Sequence, residues 1–367
     1  MVAIFSGLPR RKLFAIKKYN IERGGCKVKA LSYLGPRQMI FTEKETPTPK
    51  KGEVLIRVRA CGICGSDIHG YLGITGRRTP PVTMGHEFSG EIVSLGEGVS
   101  KFSIGDRVTV QPIKFCGVCD LCKSGMTNLC RSRSLFGVLS ENGALAEYIA
   151  VPDRLLFKIP DNCSYEAAAL TEPLAVSYGG LSKSGDLRGK SVAIVGAGTI
   201  GLCALALVKM RNPARIIVSD VIVGRLDLAL EMGATDVVNP AKEDYLERIS
   251  EITGGAMLDV SIECVGTERA VNQSIKSLAP SGVSVWLGMS EKEVTINMLE
   301  IVSMGRTIAG SYSYTHQEFG DVVELLSSGK LDVSRLVTAR ISLEEAPHMF
   351  ERLSDKPDDF LKVVVNC

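Results

Sequence analysis

The sequence predicts a two-domain α/β protein in which a compact, barrel-like β domain precedes a doubly wound parallel sheet. The first half of the chain contains short strands of alternating polarity, separated by glycine and proline. The second half alternates apolar strands with helices, which is typical of a parallel sheet covered by helices. The first of these strands leads into a glycine-rich turn, GAGTIG, at residues 196–201. The length of 367 residues corresponds to about two domains.

Composition and charge disfavour several classes of partner. The hydrophobic fraction of 45% and the charged fraction of 23% are ordinary for a globular protein. A formal net charge of +2 gives no basis for binding nucleic acid or an acidic membrane. No apolar run approaches the about 20 residues of a membrane-spanning helix. The odd count of 11 cysteines, without a secretory signal pattern, disfavours a disulfide framework, and we predict a reducing, cytoplasmic location.

The N-terminal segment is strongly basic. Residues 1–29 carry eight lysines or arginines and one glutamate. Such a segment is compatible with a transit peptide, although it lacks serine richness and a clear amphipathic stripe. The alternative is a basic N-terminal extension over residues 1–27, ahead of a domain that opens near Val28.

Strands of the β domain are predicted at residues 28–40, 53–60, 91–95 and 107–110, and the β pattern resumes over residues 137–159. A helix is predicted over residues 165–181. Glu172 lies within this helix, directly before Pro173. It either faces solvent or faces inward, where a metal ion or its bound water would be the natural partner.

A group of potential metal ligands lies within residues 61–91. Cys64, His86 and Glu87 offer a thiolate, an imidazole and a carboxylate. Zinc takes such mixed sets in catalytic sites, with a fourth position left for water or substrate. The alternative is that the cysteine and the histidines are inert packing residues. The same segment also contains Ser66, Asp67 and His69.

A second cysteine group, CGVCDLCKSGMTNLC, predicts a structural zinc site. Gaps of two, two and seven residues allow one loop to surround a tetrahedral ion, and four thiolates leave no open position for substrate. Disulfides are the alternative, but a Cys-x-x-Cys bridge is short and usually redox-active. The predicted ligands are Cys116, Cys119, Cys122 and Cys130.

The turn at residues 196–201 predicts a dinucleotide site, because it lies between a strand and a helix with an acidic residue 19 positions further on. Gly196 permits the tight turn, Gly198 lets the pyrophosphate approach the backbone, and Gly201 allows close helix packing. Asp220 is expected to bind the ribose hydroxyls and to favour NAD over NADP, a preference that Arg225 moderates. The remaining residues of the turn near the phosphates are Thr199 and Ile200.

Six parallel strands are predicted at residues 191–195, 215–219, 236–238, 258–262, 283–287 and 307–309. Helices between them are predicted at residues 202–210, 242–252 and 268–278. Cys264 and Gly288 follow the fourth and fifth strands, so we expect both to border the nicotinamide.

The chain therefore divides into a catalytic domain at residues 28–182, a dinucleotide-binding domain at 183–315, and a segment at 316–367 that returns to the first domain. The composition changes at the connection SKSGDLRGK, residues 182–190. Because six strands already complete the dinucleotide-binding unit, the remaining elements are expected to join the catalytic domain.

The order of these motifs resembles the zinc-dependent medium-chain dehydrogenase/reductase family over nearly all of residues 28–367. The motifs that carry the resemblance are CGICGSDIH, GHEFSGEIV, GDRV, the four-cysteine loop, TEPLAV, GAGTIG and the acid at Asp220. The TEP motif is similar to the sorbitol or polyol dehydrogenase branch. The resemblance implies a GroES-like β-barrel catalytic domain followed by a Rossmann NAD-binding domain.

The resemblance also implies roles for individual residues. Cys64 and His86 would bind a catalytic zinc, with a carboxylate from Glu87 or Glu172. Ser66 would take the proton of the substrate hydroxyl, and His69 would pass it toward solvent. Asp67 would support His86 or the loop, and Cys61 would be a packing residue. The implied reaction is hydride transfer from a secondary alcohol of a polyol or sugar derivative to NAD.

The sequence also contains groups that would suit a charged substrate. Arg77 and Arg78 lie in the loop after the predicted metal ligands and would suit an anionic substrate such as a sugar phosphate, a sugar acid or L-threonine. Surface arginines are the alternative. A non-catalytic NAD-sensing protein with two structural zincs is a further alternative, because a fold does not fix a function.

The expected partners are a small-molecule substrate and further copies of this chain. The resemblance implies a homodimer or homotetramer, formed through the edge of the dinucleotide sheet around residues 286–288 and 296–301.

Overall fold

The computed structural model describes residues 27–139 and 141–367. Two large sheets organise this part of the chain, one with seven strands and one with six. Of the basic extension predicted at residues 1–27, all but Lys27 lies outside the described residues. No helix in the described ranges is both long and apolar enough to span a membrane.

The elements of the first half are β1 (Lys27–Gly35), β2 (Gln38–Glu45), β3 (Glu53–Ile63), α1 (Gly65–Tyr71), β4 (Glu87–Leu95), β5 (Arg107–Val110), β6 (Ile113–Lys114), α2 (Asp120–Lys123), β7 (Ser134–Leu135), β8 (Tyr148–Pro152), β9 (Leu156–Lys158), α3 (Tyr165–Ala169) and α4 (Thr171–Leu181). Short 3₁₀ helices lie at Thr127–Leu129 and Asp153–Leu155.

The elements of the second half are β10 (Ser191–Val195), α5 (Thr199–Lys209), β11 (Arg215–Ser219), α6 (Val223–Met232), β12 (Asp236–Val238), α7 (Tyr245–Thr253), β13 (Leu258–Glu263), α8 (Glu268–Lys276), β14 (Leu278–Trp286), α9 (Met298–Val302), β15 (Thr307–Gly310), α10 (His316–Ser327), β16 (Val337–Ser342), α11 (Ala346–Asp355) and β17 (Lys362–Asn366). Short 3₁₀ helices lie at Ser334–Leu336 and Pro357–Asp359.

The prediction of one strand over residues 28–40 is wrong. The chain turns after Gly35, and β1 pairs with β2 as an antiparallel hairpin. Pro36 has no backbone N–H to donate to a sheet, and Arg37 adopts a left-handed φ of 58°. This dipeptide therefore forms the turn between two strands.

The helix predicted over residues 165–181 is present as two shorter helices, α3 and α4, which meet at Leu170. Pro173 explains the interruption, because it cannot donate the hydrogen bond that a continuous helix requires at that position. In the observed arrangement Pro173 lies in the first turn of α4, where no such bond is needed. The break also places Glu172 at the beginning of α4.

Strand β3 is the centre of the seven-stranded sheet. It pairs along its length with β4. Its other edge pairs first with β8 and then, at residues 61–63, with β17 from the C-terminal part of the chain. Both neighbours of its last residues are thus fixed by sheet hydrogen bonds, and the segment that follows β3 begins from a rigid position.

The six-stranded sheet has the order β12, β11, β10, β13, β14, β15, and all of its pairs are parallel. The six predicted strands are confirmed. Val192, Ile194, Val218 and Ile262 are fully buried, as expected for a sheet covered on both faces. The strand order reverses at β10, so a crevice for ligands is expected at its carboxyl end.

The glycine turn after β10 shows why glycine is needed at two positions. Gly196 has a φ of 99°, which side-chain-bearing residues rarely adopt. A Cβ on Gly201 would lie 1.8 Å from the carbonyl oxygen of Gly196, so this residue lets α5 approach the turn. A Cβ on Gly198 would meet no atom within 4 Å, which leaves room there for a ligand.

We expect Gly201→Ala to destabilise the protein by about 1–3 kcal/mol, because the added methyl group forces α5 away from the turn. Urea denaturation measures this change. Gly198→Ala is the matched control, since its Cβ enters open space at a φ of −73°, and its effect should stay within about 0.5 kcal/mol. Equal destabilisation by the two variants would contradict this explanation of the turn.

Candidate metal and dinucleotide site

The predicted metal ligands come together because β3 and β4 are antiparallel neighbours. Gly62 near the end of β3 pairs with Glu87 at the start of β4. Cys64 follows β3 as the N-cap of α1, and His86 directly precedes β4. Ligand atoms of Cys64, His86 and Glu87 all lie within 4.8 Å of one another.

This cluster fits zinc by its donor set and its surroundings. Sulfur, nitrogen and oxygen donors match a three-ligand catalytic site. His86 is 4% exposed, and its Nδ1 lies 3.3 Å from Asp67 Oδ1. Although this distance allows an ionic contact, Nδ1 lacks good hydrogen-bond geometry. Because Nδ1 faces Asp67, the other ring nitrogen is available as a metal ligand.

Glu87 is held by a lysine that sequence reasoning missed. Lys362 Nζ donates to both Glu87 carboxylate oxygens at 2.8 Å and to the Ile63 carbonyl at 3.1 Å. Both side chains are almost completely buried. The sequence signal was a single lysine in the apolar run FLKVVV. Each Glu87 oxygen keeps a further lone pair beyond its contact with Lys362, so the carboxylate can bind a metal while the lysine holds it.

Glu172 faces the interior, so the solvent-facing alternative is wrong. It is 8% exposed, and its Oε1 accepts a hydrogen bond of 3.0 Å from Tyr314 Oη. Burial raises the pKa of Glu172 to about 7, while His86 opposes this rise and Glu87 adds to it. Among the described residues, the three-ligand cluster contains Glu87 and not Glu172. The geometry thus favours Glu87 as the direct carboxylate.

Ser66 and His69 are exposed on α1, next to Cys64. His69 and Cys64 line a cavity of about 130 Å³ together with Leu353 and Phe360. Ser66 does not line this cavity in the structure. Exposure of both polar side chains beside the cluster is compatible with proton transfer between a substrate and solvent.

Asp67 is fully buried beside the cluster. Its Oδ2 accepts a hydrogen bond from the Cys64 backbone N–H at 3.2 Å, and its Oδ1 accepts one from Arg78 at 2.9 Å. Burial would raise the pKa of Asp67, but His86 and Arg78 outweigh this effect and hold the pKa well below its usual range. Arg78 itself is buried. Since Arg78 is also paired with Asp67, it is neither an anion-binding nor a surface arginine, so both alternatives are wrong for this residue. Arg77 is exposed.

The predicted cofactor acid lies at the end of β11, beside the glycine turn. Asp220 Oδ2 accepts a hydrogen bond from the Ala197 backbone N–H at 2.7 Å, and Oδ1 accepts one from Ile222 N–H at 2.9 Å. Arg225 lies 3.9 Å from Asp220 and 3.1 Å from Asp358. The carboxylate is thus fixed at the crevice, while Arg225 is shared between two acids.

Other residues predicted to bind the cofactor have structural contacts. Thr199 Oγ1 donates to the Leu361 carbonyl at 2.9 Å, and the Ile200 carbonyl accepts a hydrogen bond from Ser177 Oγ at 2.9 Å. A Cβ on Gly288 would lie 2.1 Å from the backbone nitrogen of Gly266, so Gly288 allows two loops to pack closely. Cys264 follows β13 at the same edge and is half-buried.

The four-cysteine loop also fits a metal. Ligand atoms of Cys116, Cys119, Cys122 and Cys130 lie within 4.8 Å of one another. Backbone N–H groups of Val118 and Cys119 point at the Cys116 sulfur and lower its pKa to about 6, which favours the thiolate that binds zinc. The described cysteines form no disulfide.

The same loop contacts the segment that carries Tyr314. Asn128 Nδ2 donates to the Tyr312 carbonyl at 2.7 Å, and Thr127 Oγ1 accepts a hydrogen bond from the His316 backbone N–H at 2.8 Å. These contacts lie on either side of Tyr314, which donates to Glu172. The four-cysteine loop is therefore linked to the position of a carboxylate near the catalytic cluster.

Comparison with known proteins identifies the two domains of the chain. Residues 50–161 match the alcohol dehydrogenase GroES-like domain, and residues 199–328 match the zinc-binding dehydrogenase domain. The chain belongs to the zinc-binding alcohol dehydrogenase family. This confirms the predicted fold of a GroES-like domain with a Rossmann domain, and the prediction of an oxidoreductase that uses zinc and NAD.

Individual relatives cover most of this chain. Sorbitol dehydrogenase from Bacillus subtilis is 36% identical over 92% of this chain and 97% of its own length. L-threonine 3-dehydrogenase from Pyrococcus furiosus is 36% identical over 81% of this chain and 86% of its own length. The crystal structure of 2R,3R-butanediol dehydrogenase from Bacillus subtilis matches with a TM-score of 0.85 and 34% identity, over 93% of this chain and 99% of that one.

We expect Cys122→Ser to lower the zinc content from two ions per chain to one and to lower the melting temperature. The reason is that three thiolates no longer complete a tetrahedral site. Each kcal/mol lost lowers the melting temperature by about 2–4 °C in a domain of ordinary size. Metal analysis and calorimetry measure the two effects. Cys163→Ser is the control, because Cys163 is buried outside the cluster, and two zincs retained by Cys122→Ser would contradict the assignment.

Proposed function

We propose that this protein oxidises a secondary alcohol that has a hydroxyl or amino group on the neighbouring carbon, with hydride transfer to NAD. The observation that carries this proposal is the cluster of Cys64, His86 and Glu87 next to the dinucleotide crevice. Two consecutive residues connect the two sites. Leu361 accepts a hydrogen bond from Thr199 at the start of α5, and Lys362 binds Glu87.

The proposed roles of the side chains follow from their positions. Bound zinc would act as a Lewis acid on the substrate hydroxyl, and NAD would be the hydride acceptor. Cys64, His86 and Glu87 would hold the metal, with Asp67 orienting His86. Ser66 would accept the hydroxyl proton, and His69, which is exposed, would pass it to solvent. Glu172 would lie beside the metal without binding it directly, in the orientation set by its hydrogen bond from Tyr314.

The substrate class is supported by the chemistry that the relatives share. Sorbitol, butanediol and threonine each contain a secondary alcohol next to a carbon that bears a hydroxyl or an amino group. The anionic alternatives, a sugar phosphate or a sugar acid, have weaker support because Arg78 is buried and paired. Only Arg77 of the two predicted arginines is free to meet an anion in solution.

NAD is the proposed cofactor rather than NADP. Asp220 is fixed at the carboxyl end of β11 by two backbone N–H groups, in the position that binds ribose hydroxyls in this fold. The 2′-phosphate of NADP would lie against this carboxylate and be repelled by its negative charge. Arg225 offers such a phosphate little compensating positive charge, because the closer contact of this arginine is with Asp358.

The experiment is a screen of sorbitol, 2,3-butanediol, L-threonine, a hexitol phosphate and a sugar acid, with NAD and with NADP, followed by absorbance of the reduced cofactor. We expect oxidation of a vicinal diol or amino alcohol, more efficient with NAD. Ser66→Ala should lower kcat/KM by about 100- to 10,000-fold through loss of the proton acceptor. Ser328→Ala, at an exposed serine after α10, is the control. Activity that survives removal of the chelatable zinc would contradict the proposal.

We also propose that the protein forms a homodimer or homotetramer through the face that contains α9. Met298, Leu299 and Val302 are 72%, 70% and 69% exposed, and β15, which follows α9 in the chain, is an edge strand of the six-stranded sheet. Exposed apolar groups and an unpaired strand edge together are typical of an association surface. Of the two segments predicted for this role, residues 286–288 are largely covered.

The sedimentation coefficient of the protein tests the predicted oligomeric state. Leu299→Glu combined with Val302→Glu should shift the protein toward monomer, because charges at a buried interface lose hydration. Ile74→Glu, at an exposed apolar residue of the first domain, is the control and should leave the sedimentation coefficient unchanged. A wild-type protein that sediments as a monomer would refute the proposal.

We propose a cytoplasmic location as well. The seven residues assigned to metal binding include five cysteines, Cys64, Cys116, Cys119, Cys122 and Cys130, and thiolate ligands persist best in a reducing compartment.

A further inference from the structure

Arg78 is a buried arginine whose position the proposed reaction does not explain. Its side chain is 4% exposed, and its guanidinium donates a hydrogen bond of 2.9 Å to Asp67 Oδ1, whose side chain is fully buried. Its Nε is also buried and has no hydrogen-bond partner among the described residues. An arginine in this position is not available to a ligand in solution.

The local structure is built around this side chain. A Cβ on Gly70 of α1 would lie 2.8 Å from Arg78 Cγ, so only glycine lets the arginine pass across the helix. On the other side, the backbone of Arg78 forms a bridge with Leu139. Hydrogen bonds from Thr79 N–H to the Leu139 carbonyl and from Leu139 N–H to the Arg77 carbonyl flank that bridge. The arginine is therefore held between α1 and a neighbouring loop.

Asp67, the partner of Arg78, contacts both adjacent metal ligands. Its Oδ2 accepts the Cys64 backbone N–H at 3.2 Å. Its Oδ1 lies 3.3 Å from His86 Nδ1 and is the same atom that Arg78 holds. A fully buried carboxylate needs a charged or hydrogen-bonding partner. The guanidinium of Arg78 supplies that partner.

We infer that Arg78 is a positioning residue for the metal cluster, acting through Asp67 on Cys64 and His86. This inference rests on the proposed function, because it presumes a metal at Cys64, His86 and Glu87. Arg78 fixes Asp67 Oδ1 so that the carboxylate orients the imidazole, and it balances the carboxylate charge next to the metal. Groups that contact a metal ligand, as Asp67 does, typically change metal affinity by about 10- to 100-fold. Loss of Arg78 should transmit an effect of this order, because it leaves Asp67 buried without its cationic partner.

The test compares zinc release into a chromogenic chelator from wild-type protein, Arg78→Met and Arg77→Met. Arg77 is the matched control, since it is the adjacent arginine and is exposed. Arg78→Met should release the cluster zinc about 10- to 100-fold faster than wild type, and Arg77→Met should release it at the wild-type rate. Arg78→Lys keeps the charge without the guanidinium geometry and should fall between them.

The four-cysteine site is an internal control for general unfolding. If Arg78 only stabilised the fold, Arg78→Met would release both zincs faster, and this result would overturn the inference, as would an unchanged release rate for the cluster zinc. A wild-type protein without a chelatable zinc at the cluster would instead refute the proposed function. The two failures are therefore distinguishable.

A double-mutant cycle tests whether Arg78 acts through Asp67. In an Asp67→Asn background the neutral amide does not need a cationic partner, so Arg78→Met should change zinc release by less than about twofold, well below its effect in the wild-type background. Independent, multiplicative effects of the two substitutions would overturn the proposed route. Substitution of the cluster zinc by cobalt adds a spectroscopic readout, because the visible bands of the ion should shift in Arg78→Met and remain unchanged in Arg77→Met.

Discussion

A buried ion pair between Lys362 and Glu87 connects the catalytic cluster to the last strand of the chain. The lysine comes from β17 and the glutamate from β4, on opposite edges of β3. Neither charge is stable in the interior without the other. This pair therefore requires β3, β4 and β17 to meet in one arrangement, and Leu361, the residue before the lysine, contacts the first residue of α5. The position of the dinucleotide turn relative to the cluster depends on the same segment.

The acidic groups around the cluster each have a separate partner. Lys362 binds Glu87, Tyr314 donates to Glu172, and Arg78 binds Asp67. These partners satisfy three buried carboxylates that would otherwise carry uncompensated charge or unmet hydrogen bonds. This arrangement explains how several acids can be buried close together while the ligand atoms of Cys64, His86 and Glu87 stay near one another.

Most of the fold and the ligand groups could be predicted because their signals are local in sequence. The six parallel strands are apolar runs bounded by turns, and the cysteine loop has its four ligands within 15 residues. The wrong strand over residues 28–40 arose because apolar residues continue on both sides of Pro36. Lys362 and Tyr314 were missed for another reason. Lys362 is separated from Glu87 by 275 positions, and Tyr314 from Glu172 by 142. No local sequence pattern indicates contacts between residues so far apart in the chain. The limits of the domains stay a prediction.

The pairing of β17 with β3 has a consequence for biosynthesis. The two strands meet in one sheet although Lys362 and Ile63 are separated by 299 positions. At a translation rate of about 5–20 residues per second, β17 leaves the ribosome roughly 15–60 seconds after β3. During that interval the nascent first domain has an open sheet edge beside the future metal ligands. The dinucleotide-binding unit, whose six strands are contiguous in the chain, can complete its own sheet earlier.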